Sequence, residues 1–265
     1  MKKQILSQLS PAYPWAGHLT FFEEIGSTND HLKALARQGA PQGTALIADR
    51  QTGGHGRLGR SFHSPGGQGI YLSILLRPQC RPQELMHLTC AAAVAMCDAV
   101  EAACGFRPGI KWTNDLVSGK RKLGGILTEL GLSPKGMVDY AIIGIGINCC
   151  QQPADFPEDI RAIAGSLAMV SGKEVDRSRV AAAMLDALHG MNENLLTGKE
   201  ETLRRYRCNC ITIGQEISLV RGEEVRHGKA IDVDDNGALV TCFPDGTVEA
   251  VNSGEVSVRG MYGYV

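Results

Sequence analysis

The chain has 265 residues, of which 43% are hydrophobic and 21% are charged, close to the average for soluble globular proteins. A chain of this length can bury a core of its own, which excludes a peptide or a small scaffold that depends on disulfides. Its 27 basic and 28 acidic residues leave a formal net charge of −1, so no overall field attracts nucleic acid or an anionic membrane. Any phosphate chemistry must therefore use local clusters of cations.

The nine cysteines include no Cys-x-x-Cys pair of the kind found in zinc and redox sites. Cys90, Cys97 and Cys104 recur every seven residues in an alanine-rich stretch, which predicts a buried helical stripe in a reducing compartment. The amino terminus has no continuous apolar run, and Asp98 and Glu101 interrupt the most apolar window. We expect no signal peptide, no membrane span and no protein-built metal site, and we expect a cytoplasmic protein.

Strands and helices are predicted in alternation along the first part of the chain. Apolar runs predict strands at 21–25, 44–49 and 70–76. A helix is predicted to begin in the segment STND, residues 27–30, where a Ser, Thr or Asn side chain can cap it, and to stop at Gly39. The long segment between the second and third strands is dense in glycine, and such loops in compact domains are usually functional or mobile.

Further elements follow the third strand, and the character of the sequence changes near its end. The predicted elements are a helix over 83–104 that ends at Gly105, strands at 109–112, 115–118, 121–130 and 138–147, a hairpin turn at 118–120, and helices at 177–196 and 199–207. From about Ile213, five short β-rich pieces are separated by Gly, Asp or Asn, which is typical of a small barrel. The sequence thus predicts an α+β fold with a mixed-sheet domain over 1–212 and an all-β barrel over 213–265.

The glycine-rich segment GGHGRLGR, residues 53–60, contains the pattern G-x-G-x-x-G from Gly54 to Gly59. A dinucleotide-binding fold needs a helix directly after this pattern, but a further loop and a strand are predicted there, so that fold is rejected. Walker A and protein kinase motifs are absent from the sequence. The glycines let the backbone approach a ligand closely, and Arg57 and Arg60 supply charge for an anion. A flexible surface loop with solvated arginines is the alternative.

Two further segments have compositions that suit a ligand site. KWTNDLVSGKRKLGG, residues 111–125, carries four cations against one acid and ends in Gly124 and Gly125, so it suits a carboxylate or phosphate. The alternative is a charged hairpin turn in which Trp112 fills the core. GIGIN, residues 144–148, is a buried strand with two glycines, and glycine within a strand often marks the close approach of a ligand or of backbone. Simple packing against a helix is the alternative there.

Together, five segments resemble one known family in their order and spacing. The segments are STND (27–30), QTGGHGRLGR (51–60), KWTND (111–115), RKLGGIL (121–127) and GIGIN (144–148). They resemble the biotin protein ligases, and the terminal β-rich region is similar to the small barrel domain of that family. The resemblance covers roughly residues 20–260 and implies a biotin/lipoate ligase-like catalytic domain. Several unrelated segments in register are far more specific than a single glycine motif.

The resemblance implies an ATP-dependent, AMP-forming enzyme that makes biotinyl-5'-AMP from biotin and MgATP. The biotinyl group would then pass to a lysine of a biotin carboxyl carrier protein domain of a carboxylase. Lys122 matches the family lysine that bridges the biotin carboxylate and the α-phosphate, with Arg57 and Mg²⁺ sharing the charge. Asp115 would hold or deprotonate the acceptor amine, which is mostly protonated at neutral pH.

The family's other site positions are carried over residue by residue. The residues implied for binding biotin and ATP are Ser27, Thr28, Asn29, Gln51, Gly54, His55, Gly56, Arg57, Arg60, Lys111, Trp112, Asn114, Lys122, Gly124, Gly125, Asn148 and Lys229. Ser27, Thr28 and Gln51 would bind the ureido ring of biotin, and Asn148 would face the adenine. Residues 151–167 would form a mobile flap in which Phe156 is the candidate for stacking.

The sequence departs from the family pattern at three positions. His55 stands where relatives usually carry arginine, which weakens the positive charge of the glycine-rich loop. Thr113 stands where proline is usual, and Lys229 stands where some relatives have an arginine that reaches the nucleotide. Lysine keeps that charge but lacks the bidentate fork of arginine.

The family includes repressors with an additional amino-terminal winged helix. About 20 residues precede the first predicted strand here, so we expect the short form, with no DNA binding and no membrane partner, and leave a homodimer open. A lipoate or octanoate ligase is the first alternative, but such enzymes generally carry a different glycine-rich string. A non-catalytic sensor of biotin or adenylate is the second, and it would have no need of Lys122 and Asp115.

Overall fold

The computed structural model describes residues 1–252 and 257–260. The helices are α1 (Lys2–Gln8), α2 (Thr28–Arg37), α3 (Leu88–Cys104), α4 (Leu167–Ser171), α5 (Arg177–Glu193) and α6 (Lys199–Asn209). The strands are β1 (Leu19–Ile25), β2 (Ala45–Gln51), β3 (Gly69–Leu76), β4 (Gly109–Lys111), β5 (Asp115–Ser118), β6 (Arg121–Leu132), β7 (Val138–Asn148), β8 (Glu216–Arg221), β9 (Glu224–Val233), β10 (Leu239–Cys242), β11 (Val248–Val251) and β12 (Ser257–Gly260). They form two separate sheets, which confirms the predicted α+β class.

The larger sheet has the strand order β1-β2-β3-β7-β6-β5-β4. β1 and β2 are parallel, and the other neighbours are antiparallel, so the sheet is mixed as predicted. The parallel pair is connected through α2, because two parallel strands cannot be joined by a tight turn. β5 and β6 form the predicted hairpin around Gly119.

Helices cover both faces of this sheet. Leu32 of α2 packs with Leu46 and Leu75 on one face, whereas Ile47 and Leu72 belong to the main core on the other face. This division follows from the alternation of side chains along a strand. α3 and α5 contact each other and cover the main core. The face covered by α2 is the thinner one, because its cluster of apolar side chains is smaller than the main core. The first turn of α2 lines the functional site.

The apolar helix α3 lies within the core. Of the described residues, only the stretch Pro82–Cys104 is long and apolar enough to cross a membrane, and 72% of its apolar window is buried inside the protein. Cys90 and Cys97 are buried, and Cys104 is half-buried, which confirms the predicted stripe. All nine cysteines lie in the described part of the chain and are free thiols.

Several predicted helix bounds differ from those observed. The helix predicted over 83–104 is interrupted, because a 3-10 turn at Pro82–Leu85 is closed by a hydrogen bond from Arg81 N to the Glu84 carboxylate (2.8 Å) and α3 begins only at Leu88. α3 ends before Gly105 as predicted. The helix predicted over 177–196 ends at Glu193, the one predicted over 199–207 extends to Asn209, and the short helices α1 and α4 were not predicted.

The smaller sheet is antiparallel and has the strand order β11-β10-β9-β8-β12. Its strands correspond to the five β-rich pieces of the sequence, although the predicted piece at 255–259 begins outside the described residues. The division of the chain into domains at residue 212 stays a prediction. α6 ends at Asn209 and β8 begins at Glu216, so a short connection joins α6 to the smaller sheet.

The smaller sheet is hydrogen-bonded directly to the segment KWTND. The indole Nε1 of Trp112 donates to the Gly237 carbonyl (2.9 Å) in the turn between β9 and β10. Trp112 N donates to Thr212 Oγ1 (2.9 Å), and the buried Tyr206 hydroxyl donates to the Thr113 carbonyl (3.0 Å). The Trp112–Thr113 peptide bond is cis. The terminal unit therefore supports the backbone from which Asn114 and Asp115 project.

Replacing Trp112 with Phe keeps an aromatic ring but removes the donor to Gly237. We expect Trp112→Phe to lower the free energy of unfolding by about 1–3 kcal/mol, because a buried carbonyl loses its partner. Urea unfolding measures this change. Trp15→Phe is the matched control, since the Trp15 ring stacks edge-on against His189 near the surface. Equal losses in both variants would contradict a specific role for the Trp112 hydrogen bond.

Candidate functional site

A cavity of about 490 Å³ lies where the five sequence segments meet. It is bounded by the start of α2, the end of β2, the glycine-rich loop, β5, β6, β7, the segment after β7 and Val258 of β12. The predicted site residues that line it are Ser27, Thr28, Asn29, Gln51, His55, Gly56, Arg57, Arg60, Lys111, Trp112, Asn114, Asp115, Lys122, Gly125 and Asn148. Residues distant in sequence thus form one site with a polar end and a cationic end.

The polar end is built on the first turn of α2. Ser27 caps the helix, and its Oγ accepts a hydrogen bond from Asp30 N (3.3 Å). Both the backbone amide and the hydroxyl of Thr28 donate to Gln51 Oε1, over 2.8 and 3.0 Å. Ser27 therefore has a hydroxyl proton to donate to a ligand, while Thr28 has lone pairs to accept one. A donor beside an acceptor suits a ligand that carries both kinds of group.

The cationic end is centred on an ion pair between adjacent strands. Lys122 Nζ of β6 lies 2.7 Å from Asp115 Oδ1 of β5, and Gly125 lies beside both charged groups. The Lys122 side chain is 37% exposed, so it can reach a ligand in the cavity that it lines. Asp115 holds the amine in place. The predicted grouping of lysine, acid and glycine is therefore present in space.

Arg57 completes this cationic end from the glycine-rich loop. Its Nη1 donates to Asn114 Oδ1 (3.1 Å), and Asn114 Nδ2 donates to the Ile126 carbonyl of β6 (2.9 Å). Burial lowers the pKa of Arg57, and the negative charge of Asp115 partly opposes that effect. A guanidinium still stays protonated at neutral pH. Asn114 thus fixes Arg57 relative to the strand that carries Lys122.

The segment after β7 covers the cavity beside Lys122. Lys122 N donates to the Ile163 carbonyl (2.7 Å), and Gly165 N donates to the Lys122 carbonyl (2.9 Å). Phe156 is buried and lines the cavity together with Ile160. This wall is apolar and stands next to the cations, so it suits a flat aromatic group attached to an anion.

Asn148 occupies a buried position at the base of the covering segment. Its Nδ2 donates to the Gly165 carbonyl (2.9 Å), and its Oδ1 accepts from Gln151 Nε2 (3.1 Å). The sequence predicts that Asn148 faces the adenine. In the structure it lines the cavity, but both ends of its amide bond to the protein, so it holds the covering segment in place.

Three predicted residues lie outside the lining formed by the described residues. Gly54 lies behind the wall, against Ser64 and the Gln51 amide. Gly124 lies against the Gly146 carbonyl of β7, where it allows two strands to pair closely. Lys229 is exposed on β9, opposite Glu216, so the nucleotide contact expected for it has no support in this geometry.

Other residues at the cavity were not predicted from the sequence. Phe62 lines it and packs against Gly146, where a Cβ atom would overlap the Phe62 ring. His63 Nε2 lies 3.2 Å from the Asp155 carbonyl, which joins the glycine-rich loop to the covering segment. Ser73 lies just behind Thr28. A hydroxyl within the otherwise apolar run IYLSILL is the sequence feature that could have indicated a role for Ser73 near the site.

Comparisons with known proteins agree with this geometry. Residues 21–148 match the model of the Biotin/lipoate A/B protein ligase family, and residues 212–259 match that of the Biotin protein ligase C terminal domain. A bifunctional ligase/repressor BirA of Bacillus spizizenii is 36% identical over 253 residues, 91% of this chain and 74% of the relative. The chain belongs to the biotin protein ligase family.

Two further members of the biotin protein ligase family match along most of their length. A biotin–[acetyl-CoA-carboxylase] ligase of Mycobacterium tuberculosis is 32% identical and is matched over 96% of this chain and 94% of its own. A biotin protein ligase from Aquifex aeolicus, solved in complex with biotin and ATP, has a TM-score of 0.77 and 32% identity, over 91% of this chain and 98% of its own. The fold of the family therefore extends over both sheets of this member.

Gly146 lets the Phe62 ring pack against the floor of the ligase cavity. We expect Gly146→Ala to destabilise the protein by about 1–3 kcal/mol, because the new methyl group would force the Phe62 ring out of its position against β7. Gly190→Ala in α5 is the matched control, since a Cβ there meets no atom within 4 Å. That variant should be more stable by about 0.5–1 kcal/mol. Thermal unfolding of both proteins measures the contrast, and a neutral Gly146→Ala would contradict the close packing.

Proposed function

We propose that the chain is a biotin–[biotin carboxyl carrier protein] ligase that activates biotin with MgATP. The observation that carries this proposal is one cavity that is lined both by the Ser27–Thr28 polar end and by the Lys122–Arg57 cationic end. Biotin has a ureido ring with one acceptor and two donors, and a carboxylate at the other end of its chain. The donor of Ser27 and the acceptor of Thr28 complement that ring.

Activation requires two anions to meet. An oxygen of the biotin carboxylate attacks the α-phosphorus of ATP, the bond from that phosphorus to the β-phosphate oxygen breaks, and pyrophosphate leaves. Lys122 and Arg57 lie at the same end of the cavity and cancel the repulsion between carboxylate and phosphate. Asp115 and Asn114 keep both cations in position before the substrates arrive, over 2.7 and 3.1 Å.

Transfer follows at the same place. The amine of the carrier lysine attacks the acyl carbon of biotinyl-5'-AMP, AMP leaves with the bonding electrons, and the amine loses a proton. Asp115 is the carboxylate in the described lining that can hold that amine or accept its proton. The apolar cover formed around Phe156 keeps water away from the acyl-adenylate before the carrier binds.

ATP fits the cationic and apolar walls of the cavity. Arg60 and Lys111 add positive charge to the phosphate end, and Phe156, Ile160 and Ile163 offer apolar surface to an adenine. Among the described residues no group of three or more His, Cys, Asp or Glu side chains could hold a metal. That donor set fits Mg²⁺ bound mainly through ATP phosphates, with Asp115 the carboxylate at hand. When bound, Mg²⁺ neutralises part of the phosphate charge.

The proposal includes the location and partners of the protein. Nine free thiols suit the reducing cytoplasm, and the acceptor is the biotin carboxyl carrier protein domain of a carboxylase. The near-neutral net charge supports a function without nucleic acid. Association into a homodimer is compatible with this function but is not needed for it, since one chain supplies every group named above.

A transfer assay tests the function. The protein is incubated with MgATP, an apo carrier domain and either biotin or lipoate, and the carrier is weighed by mass spectrometry. The proposal predicts a biotin-sized increment that requires ATP. A lipoyl increment would instead indicate a lipoate ligase, and biotin binding without any increment would indicate a sensor.

Lys122 should be needed for the first half-reaction. We expect Lys122→Ala to slow formation of biotinyl-5'-AMP by about 10²–10³-fold in single-turnover assays, because one preorganised charge at the reacting centre is lost. Lys120→Ala, in the exposed turn of the same hairpin, removes a lysine outside the cavity and should keep the normal rate. Near-normal rates in both variants would refute the role given to Lys122.

A further inference from the structure

A chain of buried polar side chains lies directly behind the polar end of the cavity. Ser73, in the middle of β3, is fully buried. Its hydroxyl lies 2.7 Å from Thr28 Oγ1 and 2.5 Å from Asn29 Oδ1. A hydroxyl at a buried position normally bonds within the protein, because an unsatisfied one is costly. Ser73 therefore connects the cavity wall to Asn29.

Asn29 is oriented from its other side by β6. Its Nδ2 donates to Glu129 Oε2 (2.9 Å), and the second oxygen of Glu129 accepts from Lys33 Nζ (2.9 Å). Asn29 lies against Gly144 of β7, where a Cβ atom would overlap its amide. We call Ser73, Asn29, Glu129 and Lys33 the polar relay. It joins α2, β3 and β6 across the thinner face of the larger sheet.

The relay determines the direction of the hydrogen bonds at the cavity. A carboxylate accepts but does not donate, so Glu129 requires the amide nitrogen of Asn29 to point towards it, and the amide oxygen then points towards Ser73. Ser73 shares its one proton between that oxygen and Thr28 Oγ1. The Thr28 hydroxyl donates its own proton to Gln51 Oε1. Thr28 lines the cavity and keeps a second lone pair for a ligand.

We propose that the polar relay sets the Thr28 hydroxyl as a hydrogen-bond acceptor for an N–H group of the biotin ureido ring. Ser73, Asn29 and Glu129 are positioning residues in this arrangement, and they act on biotin through Thr28. The inference rests on the proposed function. The resemblance implies that Asn29 binds a substrate. The inference instead assigns Asn29 to the support of the site, because both ends of its amide already bond to the protein.

The test compares binding of the two substrates. Ser73→Ala and Glu129→Ala should each raise the Kd for biotin about fivefold to tenfold by calorimetry, the effect of one hydrogen bond. The KM for ATP at saturating biotin should change less than about twofold. Glu129→Gln keeps an oxygen that accepts from Asn29, so it should bind biotin nearly as the wild-type protein does. A purely structural defect would shift both substrates together and would not be rescued in this way.

Two controls separate the relay from general damage. Thr89→Val removes one member of a second hydroxyl pair, Thr89 and Thr128, 2.6 Å apart and outside the relay, and it should leave both constants unchanged. In a Thr28→Val background, Ser73→Ala should have almost no further effect on biotin, because the two act as one unit.

The outcomes also distinguish the inference from the proposed function. If the wild-type protein binds biotin and both Ser73→Ala and Glu129→Ala bind it with an unchanged Kd, the relay is overturned but the proposed function is not. So would a full effect of Ser73→Ala in the Thr28→Val background. A wild-type protein that binds no biotin would overturn the proposed function and the relay with it.

Discussion

The arrangement of the site depends on the repulsion between two anions that must react with each other. Positive charge that is held in a fixed position offsets this repulsion before the substrates bind. Mobile surface cations would instead have to be ordered at the moment of reaction. Here Lys122 and Arg57 are held beforehand by Asp115 and Asn114, which project from adjacent positions of one short segment. That segment is in turn supported by the terminal β-rich unit through Trp112. The smaller sheet therefore supports the reacting groups through Trp112, and it also lines the cavity with Val258 of β12.

The larger sheet separates the two recognition tasks of the cavity. The polar end belongs to α2 and the end of β2, on one side of the central strands, whereas the cations belong to β5, β6 and the glycine-rich loop. β7 runs between them. Its glycines at 144 and 146 leave room for Asn29 and Phe62, so a polar support and an aromatic wall can both lie against the strand. The distance between the polar end and Lys122 is thereby set by the sheet.

Most elements and most of the site could be predicted from the sequence, because short-range patterns determine them. Strand alternation, the Ser27 cap and the density of cations around Lys122 are all local features. The contacts of the polar relay were not predictable in this way, since Ser73 and Glu129 meet Asn29 from positions 44 and 100 residues away. Tertiary contacts also explain why Gly54 and Gly124 lie behind the cavity wall instead of lining it. The interruption before α3 follows from a turn that a helical period cannot reveal.

The central claim is that one cavity recognises a cyclic urea at one end and activates a carboxylate at the other. Exchange of labelled pyrophosphate into ATP, measured without any carrier protein, tests this most directly because it reports the reversal of the activation step alone. We expect exchange that requires biotin and is not supported by lipoate. Exchange of equal rate with lipoate, or none with biotin, would contradict the account.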